Sequence, residues 1–171
     1  MQTAKEIMKA PITIDKDSSV DEAITIMREK RISRLVVTEQ KKPSGIVSEK
    51  DIGFFLLQDK TDRDIDEIPI AEVTKKLVSV SETTKVGDCA RIMLEKDFSS
   101  LCVNSNSTLV GIITKTDLTK YYADTYRGKN RVGDFMTKSY ASSYVDEPVH
   151  KVVSKMLENN LYSSLTLGDN L

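Results

Sequence analysis

Gly45-Ile46-Val47-Ser48-Glu49-Lys50-Asp51 is answered 66 residues later by Gly111-Ile112-Ile113-Thr114-Lys115-Thr116-Asp117. In each heptad a glycine opens a short β-branched run, and a hydroxyl stands three residues before a carboxylate. The run reads as a strand, and Ser/Thr-x-x-Asp is the signature of a capped helix start, so at both places a strand feeds directly into a helix. Outward from there the same shift maps Leu35-Val36-Val37 onto Leu101-Cys102-Val103. It also maps Val20, Ala23, Ile24 and Met27 onto Val86, Cys89, Ala90 and Met93. The register holds without a gap from Ile7 to Asp51 and from Val73 to Asp117, which means a duplicated structural unit.

Within one unit, Pro11-Ile12-Thr13-Ile14 is β-rich, and Ser18 stands where a helix N-cap is expected, ahead of Val20 and Asp21. That helix closes near Lys30-Arg31. Leu35 to Thr38 reads as a buried strand, Gln40-Lys41-Lys42-Pro43-Ser44 as a turn, Gly45-Ile46-Val47 as a third strand, and Ser48 as the cap of a helix carrying Ile52, Phe54, Phe55 and Leu56. The order is β-α-β-β-α, of mixed α/β (α+β) class. A helical crossover favours parallel pairing of the first two strands, and the short turn makes the second pair antiparallel. A unit of roughly 55 residues buries too little surface to be secure alone, so two copies are expected to pack as a pseudo-twofold module with related clefts between them.

A third copy starts after Asn130: Val149, Val152, Val153 and Met156 keep the helical spacing, and Leu165-Thr166-Leu167 supplies the strand. The text stops in the turn-like Gly168-Asp169-Asn170 before the glycine element. The expectation is a β-α-β half repeat with an open strand edge, belonging to a longer chain with two such modules or completed against another molecule. The expected bounds are repeat 1 at 1–58, a linker at 59–69, repeat 2 at 70–124, a linker at 125–131 and the incomplete repeat at 132–171. The acidic stretch from Gln58 to Pro69 reads as a solvated connector. Tyr121, Tyr122 and Tyr126 beside Arg127, Lys129 and Arg131 read as a helix end entering a polar linker, not as a nucleic-acid surface, because the basic face is narrow.

The 25 lysines and arginines nearly cancel 26 acidic residues, which excludes a global charge argument for nucleic acid or a membrane surface; any anion site is local. Cys89 and Cys102 fill positions held by Ala23 and Val36 in the first copy, so they are expected in the core, and no zinc spacing exists. The start MQTAKEIMKA has no signal-like apolar run and no segment is membrane-length, which points to the cytoplasm. His150 has no cysteine or serine–acid arrangement around it, and Glu22, Glu29, Asp88 and Glu95 fall on polar helix faces. No constellation recommends an enzyme or a metal site.

These residues resemble the cystathionine β-synthase (CBS) domains, whose tandem pairs are called Bateman modules. The resemblance rests on Ile7-Met8, the strand from Pro11 to Ile14, the Val-x-x-Ala helix, the strand after Ile32-Ser33-Arg34, and above all the two glycine-to-aspartate elements. It implies adenosyl ligands in the clefts: AMP, ADP or ATP, or alternatively S-adenosylmethionine or methylthioadenosine. It also implies an energy-sensing regulatory role toward a partner protein, a homodimer, and no catalysis of its own. Asp51 and Asp117, on the first helical turn, can accept hydrogen bonds from a ribose diol. The hydroxyls of Ser48 and Thr114, with free helix N–H groups and the flanking Lys50 and Thr116, can meet a phosphate. Gly45 and Gly111 permit close backbone approach. Ile12, Ile14 and Ile32, or Val78, Val80 and Phe98, would sandwich the adenine.

In the family the residues before the second strand often touch phosphate; here they are Ser33-Arg34 and Ser99-Ser100. Because arginine grips phosphate bidentately, the cleft using Asp51 is expected to prefer a charged nucleotide and the cleft using Asp117 to tolerate a neutral or cationic adenosyl compound. The competing readings are a dimerising scaffold in which the two motifs only cap helices, and, less favoured, a DNA-linked regulator.

Overall fold

A short helix α1 (Ala4–Ile7) leads into β1 (Thr13–Asp15), α2 (Val20–Lys30), β2 (Arg34–Glu39), β3 (Lys42–Ser48) and α3 (Glu49–Gln58). A 3₁₀ turn (Ile70–Glu72) then leads into β4 (Ser79–Ser81), α4 (Val86–Glu95), β5 (Ser100–Ser105), β6 (Thr108–Thr114) and α5 (Lys115–Thr125). This computed structural model describes residues 2–138, 140–159, 161 and 163–167, so Gly168-Asp169-Asn170 lies outside the described residues. Each repeat forms a three-stranded sheet in the order β1-β2-β3 or β4-β5-β6, with the first pair parallel and the second antiparallel, as the helix crossover and tight turn require. The chain divides into two compact units, 1–126 and 127–171.

Helix α2 starts one residue later than its sequence suggests. Ser19 is the cap, accepting from the Glu22 N–H at 3.1 Å, because Ser18 is spent on backbone bonds: its N–H donates to the Asp15 carbonyl, and its own carbonyl accepts from Ile70 at 2.7 Å. The hairpin turns are also tighter than expected. Glu39 pairs with Lys42 and Ser105 with Thr108, leaving the two-residue loops Gln40-Lys41 and Asn106-Ser107, all four residues with φ between 47° and 67°. Such loops match the right-handed twist of the flanking strands. Strand β3 therefore begins at Lys42, and Pro43 is tolerated because β3 is an edge strand with a register shift opposite Val37/Thr38.

Left-handed conformations at Gln40 and Lys41 each cost about 1 kcal/mol that asparagine or glycine avoids. The double substitution Gln40→Asn, Lys41→Gly is expected to raise stability by about 1–2 kcal/mol, read as a higher urea midpoint at constant slope. A lower midpoint contradicts this turn geometry.

Leu35, Val37 and Val47 pack against Val20, Ala23, Met27 and Ile52 in one core; Leu101, Val103 and Ile113 pack against Cys89 and Met93 in the other. The two repeats exchange their lead-in segments. Ala4 is buried in the second core, whereas Ile70 and Val73 are buried in the first. Lys9 pairs with Ile112 through bonds of 3.0 and 2.9 Å, and Lys75, its equivalent, pairs with Ile46 at 2.8 and 2.9 Å. The stretch 58–69 is correspondingly more than a solvated connector. Ile68 is buried, and the carbonyls of Ile68 and Ile65 accept from Val20 and Asp21 at 2.9 and 3.2 Å, satisfying donors that the start of α2 leaves open.

The second unit contains α6 (Val132–Phe135), β7 (Ala141–Tyr144), α7 (Val149–Glu158) and β8 (Ser164–Leu167), with β7 and β8 parallel. Among the described residues no third strand joins this sheet. Val132, the first residue of α6, is 83% exposed, while Ala4 and Ile70, its counterparts in the complete repeats, are fully buried.

Candidate functional site

The two heptads end as the sequence indicates. Asp51 Oδ2 accepts from the Ser48 N–H at 3.0 Å and the Ser48 hydroxyl at 2.5 Å, and the Asp51 N–H donates back to Ser48 Oγ at 3.3 Å. The Thr114 N–H and hydroxyl donate to Asp117 Oδ2 at 2.9 and 2.6 Å, and the Asp117 N–H donates back to Thr114 Oγ1 at 3.3 Å. Both motifs are therefore capping boxes. Each box uses only Oδ2. Oδ1 of Asp51 has no partner among the described residues, while Oδ1 of Asp117 receives the Lys9 ammonium at 2.7 Å. Burial pushes the Asp117 carboxyl up, but the bonds from Lys9 and Thr114 outweigh it and hold the group below the usual carboxylate range.

Asp117 faces a cleft of about 420 Å³ built from both repeats: Ile12, Ile32, Ser33 and Arg34 from the first, Thr114 and Thr116 from the second. This corrects one expectation. Arg34 shares its cleft with Asp117, not Asp51, because the exchanged lead-in segments bring the second repeat's motif across to β1 and β2 of the first. Arg34 Nη1 donates to the Ser99 carbonyl at 2.7 Å and Nη2 to Ser33 Oγ at 3.4 Å, so the guanidinium bridges the repeats while lining the cleft. Lys9, Arg28 and Arg31 line it as well, giving four cations against the carboxylates of Glu49 and Asp117.

Lys9, Arg28 and Arg31 are missing from the sequence-level site. The sequence places only the end of α2 near Lys30-Arg31, and Arg31 is its left-handed C-cap with φ 52°. The available signal was the Arg28, Arg31, Arg34 spacing, which the second repeat replaces with Leu94, Asp97 and Ser100. The same shift carries Ile12, Ile32 and Ser33 onto Val78, Phe98 and Ser99, and Thr114, Thr116 and Asp117 onto Ser48, Lys50 and Asp51. Lys50 Nζ lies 5.7 Å from the centre of the Phe54 ring.

Ile14 and Val80 do not belong with the apolar cleft residues: strand alternation turns both into the helix-packed cores, where they are buried. Gly45 and Gly111 do serve close approach. A β-carbon at Gly45 would meet the Thr74 methyl and, at 2.8 Å, the Lys75 carbonyl; at Gly111 it would meet the Met8 side chain. Cys89 and Cys102 are buried thiols, and burial pushes Cys102 up to about 11. His150 is exposed on α7, and among the described residues no cluster of metal-ligating side chains forms and no helix is long and apolar enough to cross a membrane.

The chain is similar to known proteins. MJ1404 of Methanocaldococcus jannaschii is 30% identical over 139 residues, which is 74% of this chain and 33% of that protein. MJ1225 of the same organism is 24% identical over 99% of this chain and 65% of its own length, and its crystal structure superposes with a TM-score of 0.84. The chain thus spans a third to about two thirds of these relatives. The CBS domain pair of protein MJ0100, solved with 5′-methylthioadenosine and S-adenosyl-L-methionine, matches 74% of this chain and 99% of that one at 25% identity and a TM-score of 0.66. The CBS domain model matches residues 4–57 and 65–124, the two repeats whose exchanged segments and capped strand-to-helix junctions build the cleft, and the chain belongs to the CBS domain family.

Proposed function

We propose that this is a regulatory module whose Asp117 cleft binds an adenine nucleotide, AMP, ADP or ATP. The observation that carries this reading is the convergence of Lys9, Arg28, Arg31 and Arg34 on a cleft that also holds a carboxylate with one oxygen outside its capping box. Asp117 Oδ1 exchanges Lys9 for the ribose hydroxyls, Ile12 and Ile32 flank the adenine, and Ser33, Arg34, Thr114 and Thr116 meet the phosphates. The positive end of the α5 dipole adds to the attraction. Lys9 is 61% exposed on its side chain, so its ammonium is released to water as the ribose takes Oδ1.

The equivalent cleft of Asp51, with Ser48, Lys50, Val78, Phe98, Ser99 and Ser100, lacks the arginine triplet and suits a neutral or cationic adenosyl compound, S-adenosylmethionine or methylthioadenosine. The ligands bound by the domain pair of MJ0100 support this second half. A ligand touching both repeats shifts their relative orientation only by binding one arrangement better, and that shift is the energy-sensing signal to a partner protein in the cytoplasm. Exposed Leu56, Leu57, Tyr122 and Tyr126 on and beside α3 and α5 provide a surface for homodimerisation.

Calorimetry with AMP, ATP, S-adenosylmethionine and methylthioadenosine tests the reading. Arg34→Ala is expected to weaken AMP about tenfold and leave the methylthioadenosine affinity within twofold. In thermal unfolding, AMP at one hundred times its dissociation constant adds about 2.7 kcal/mol. Absence of heat and of stabilisation with all four compounds leaves the scaffold reading standing.

A further inference from the structure

We propose a second ligand site, on the pseudo-twofold axis itself, that takes a small anion carrying two or more phosphates. It is independent of the adenosyl clefts. A cavity of about 730 Å³ opens between the two hairpins, and its lining falls into pairs 66 residues apart: Thr13 with Ser79, Thr38 with Asn104, Lys41 with Ser107 and Lys42 with Thr108. Such pairing puts the cavity on the axis relating the repeats.

The strands fix its separation from the Asp117 cleft. Alternation along β2 and β5 turns Arg34, Val36 and Thr38, and likewise Ser100, Cys102 and Asn104, away from the helices. Val36 and Cys102 are nonetheless buried, so the two sheets cover each other at their centre. Arg34 lines the Asp117 cleft at one end of this interface, and Thr38 and Asn104 line the axial cavity at the other. A dry layer of Val36 and Cys102 divides them.

The lining chemistry names the ligand class. Among the described residues Lys41 and Lys42 are the only charged residues of the lining, and neither side chain makes an ion pair or hydrogen bond there. The Thr38 hydroxyl donates to the Ile14 carbonyl, but Thr13, Ser79, Asn104, Ser107 and Thr108 have side-chain donors without an internal acceptor. Two cations and a ring of neutral donors, with no carboxylate, match phosphate oxygens and oppose a cation. Lys41 occupies a left-handed turn position, φ 65°, that glycine fills at lower cost; here the strained residue carries a charge to the cavity.

The probe is inorganic tripolyphosphate at low salt, titrated calorimetrically into the intact chain. In the Arg28→Gln, Arg31→Gln background, which removes two cations of the Asp117 cleft, saturable binding is still expected, and adding Lys41→Gln with Lys42→Gln weakens it at least tenfold. Asn104→Ala, which changes no charge, is expected to weaken it threefold or more, and thermal midpoints of all variants stay near the parent. Several outcomes overturn the proposal: no saturable binding, loss only in the arginine pair, indifference to Asn104→Ala, or displacement by poly-glutamate as effective as by tripolyphosphate, which would mark a surface for acidic chains.

Discussion

Asp117→Asn is expected to weaken AMP binding by about 10- to 150-fold while costing the fold only about 1 kcal/mol. Asparagine keeps one oxygen that can accept from the Thr114 N–H and hydroxyl, so the cap survives in part. It loses the ionised second oxygen, which now holds Lys9 at 2.7 Å and in the proposed complex accepts from the ribose diol. Hydrogen bonds to a charged group contribute about 1.5–3 kcal/mol, which sets the size of the loss. A variant that folds and binds AMP like the parent would reduce the aspartate to a helix cap.

The same carboxyl has an acid signature. Its folded pKa is depressed, so its contribution to stability is present above the unfolded-state value, about 4, and is lost as pH falls through the folded value below that. Asp117→Asn is expected to flatten this part of the acid limb of a stability profile measured by urea titration.

Gly45→Ala and Gly111→Ala are each expected to destabilise the protein by about 2–3 kcal/mol. At Gly45 the new β-carbon lies 2.8 Å from the Lys75 carbonyl and against the Thr74 methyl. Neither yields easily: Lys75 is paired with Ile46 through two backbone bonds, and the Thr74 hydroxyl donates to the Ile70 carbonyl at 2.8 Å, fixing its rotamer. At Gly111 the Met8 sulfur can swing aside, but Met8 Cβ, 2.9 Å away, does not move with the rotamer, and its segment is held by the two backbone bonds of Lys9 with Ile112. A loss well below about 1 kcal/mol in either variant, measured by urea titration, would contradict these close approaches.

Local features were legible in advance. The capped helix starts at Ser48 and Thr114 depend on residues three positions apart, and the parallel and antiparallel pairings follow from connection length. Less local ones were not. The N-cap moved from Ser18 to Ser19 because Ile70, far along the chain, takes the Ser18 carbonyl. Ile68 enters the core from a stretch that reads as acidic and solvated, since a single apolar residue has no periodicity to betray it. Ile14 and Val80 sit on strands too short for alternation to reveal which face meets the helices.

The sequence by itself determined that this protein is a doubled β-α-β-β-α unit with a capped carboxylate at each second-helix start, because a 66-residue register and helix-cap spacing are properties of the chain alone. Only the tertiary structure decided that Arg34, with Arg28 and Arg31, faces Asp117 and not Asp51. The repeat shift identifies equivalent positions but says nothing of which copy supplies each wall of a cleft. The exchange of the lead-in segments, Lys9 onto Ile112 and Lys75 onto Ile46, makes that choice in space.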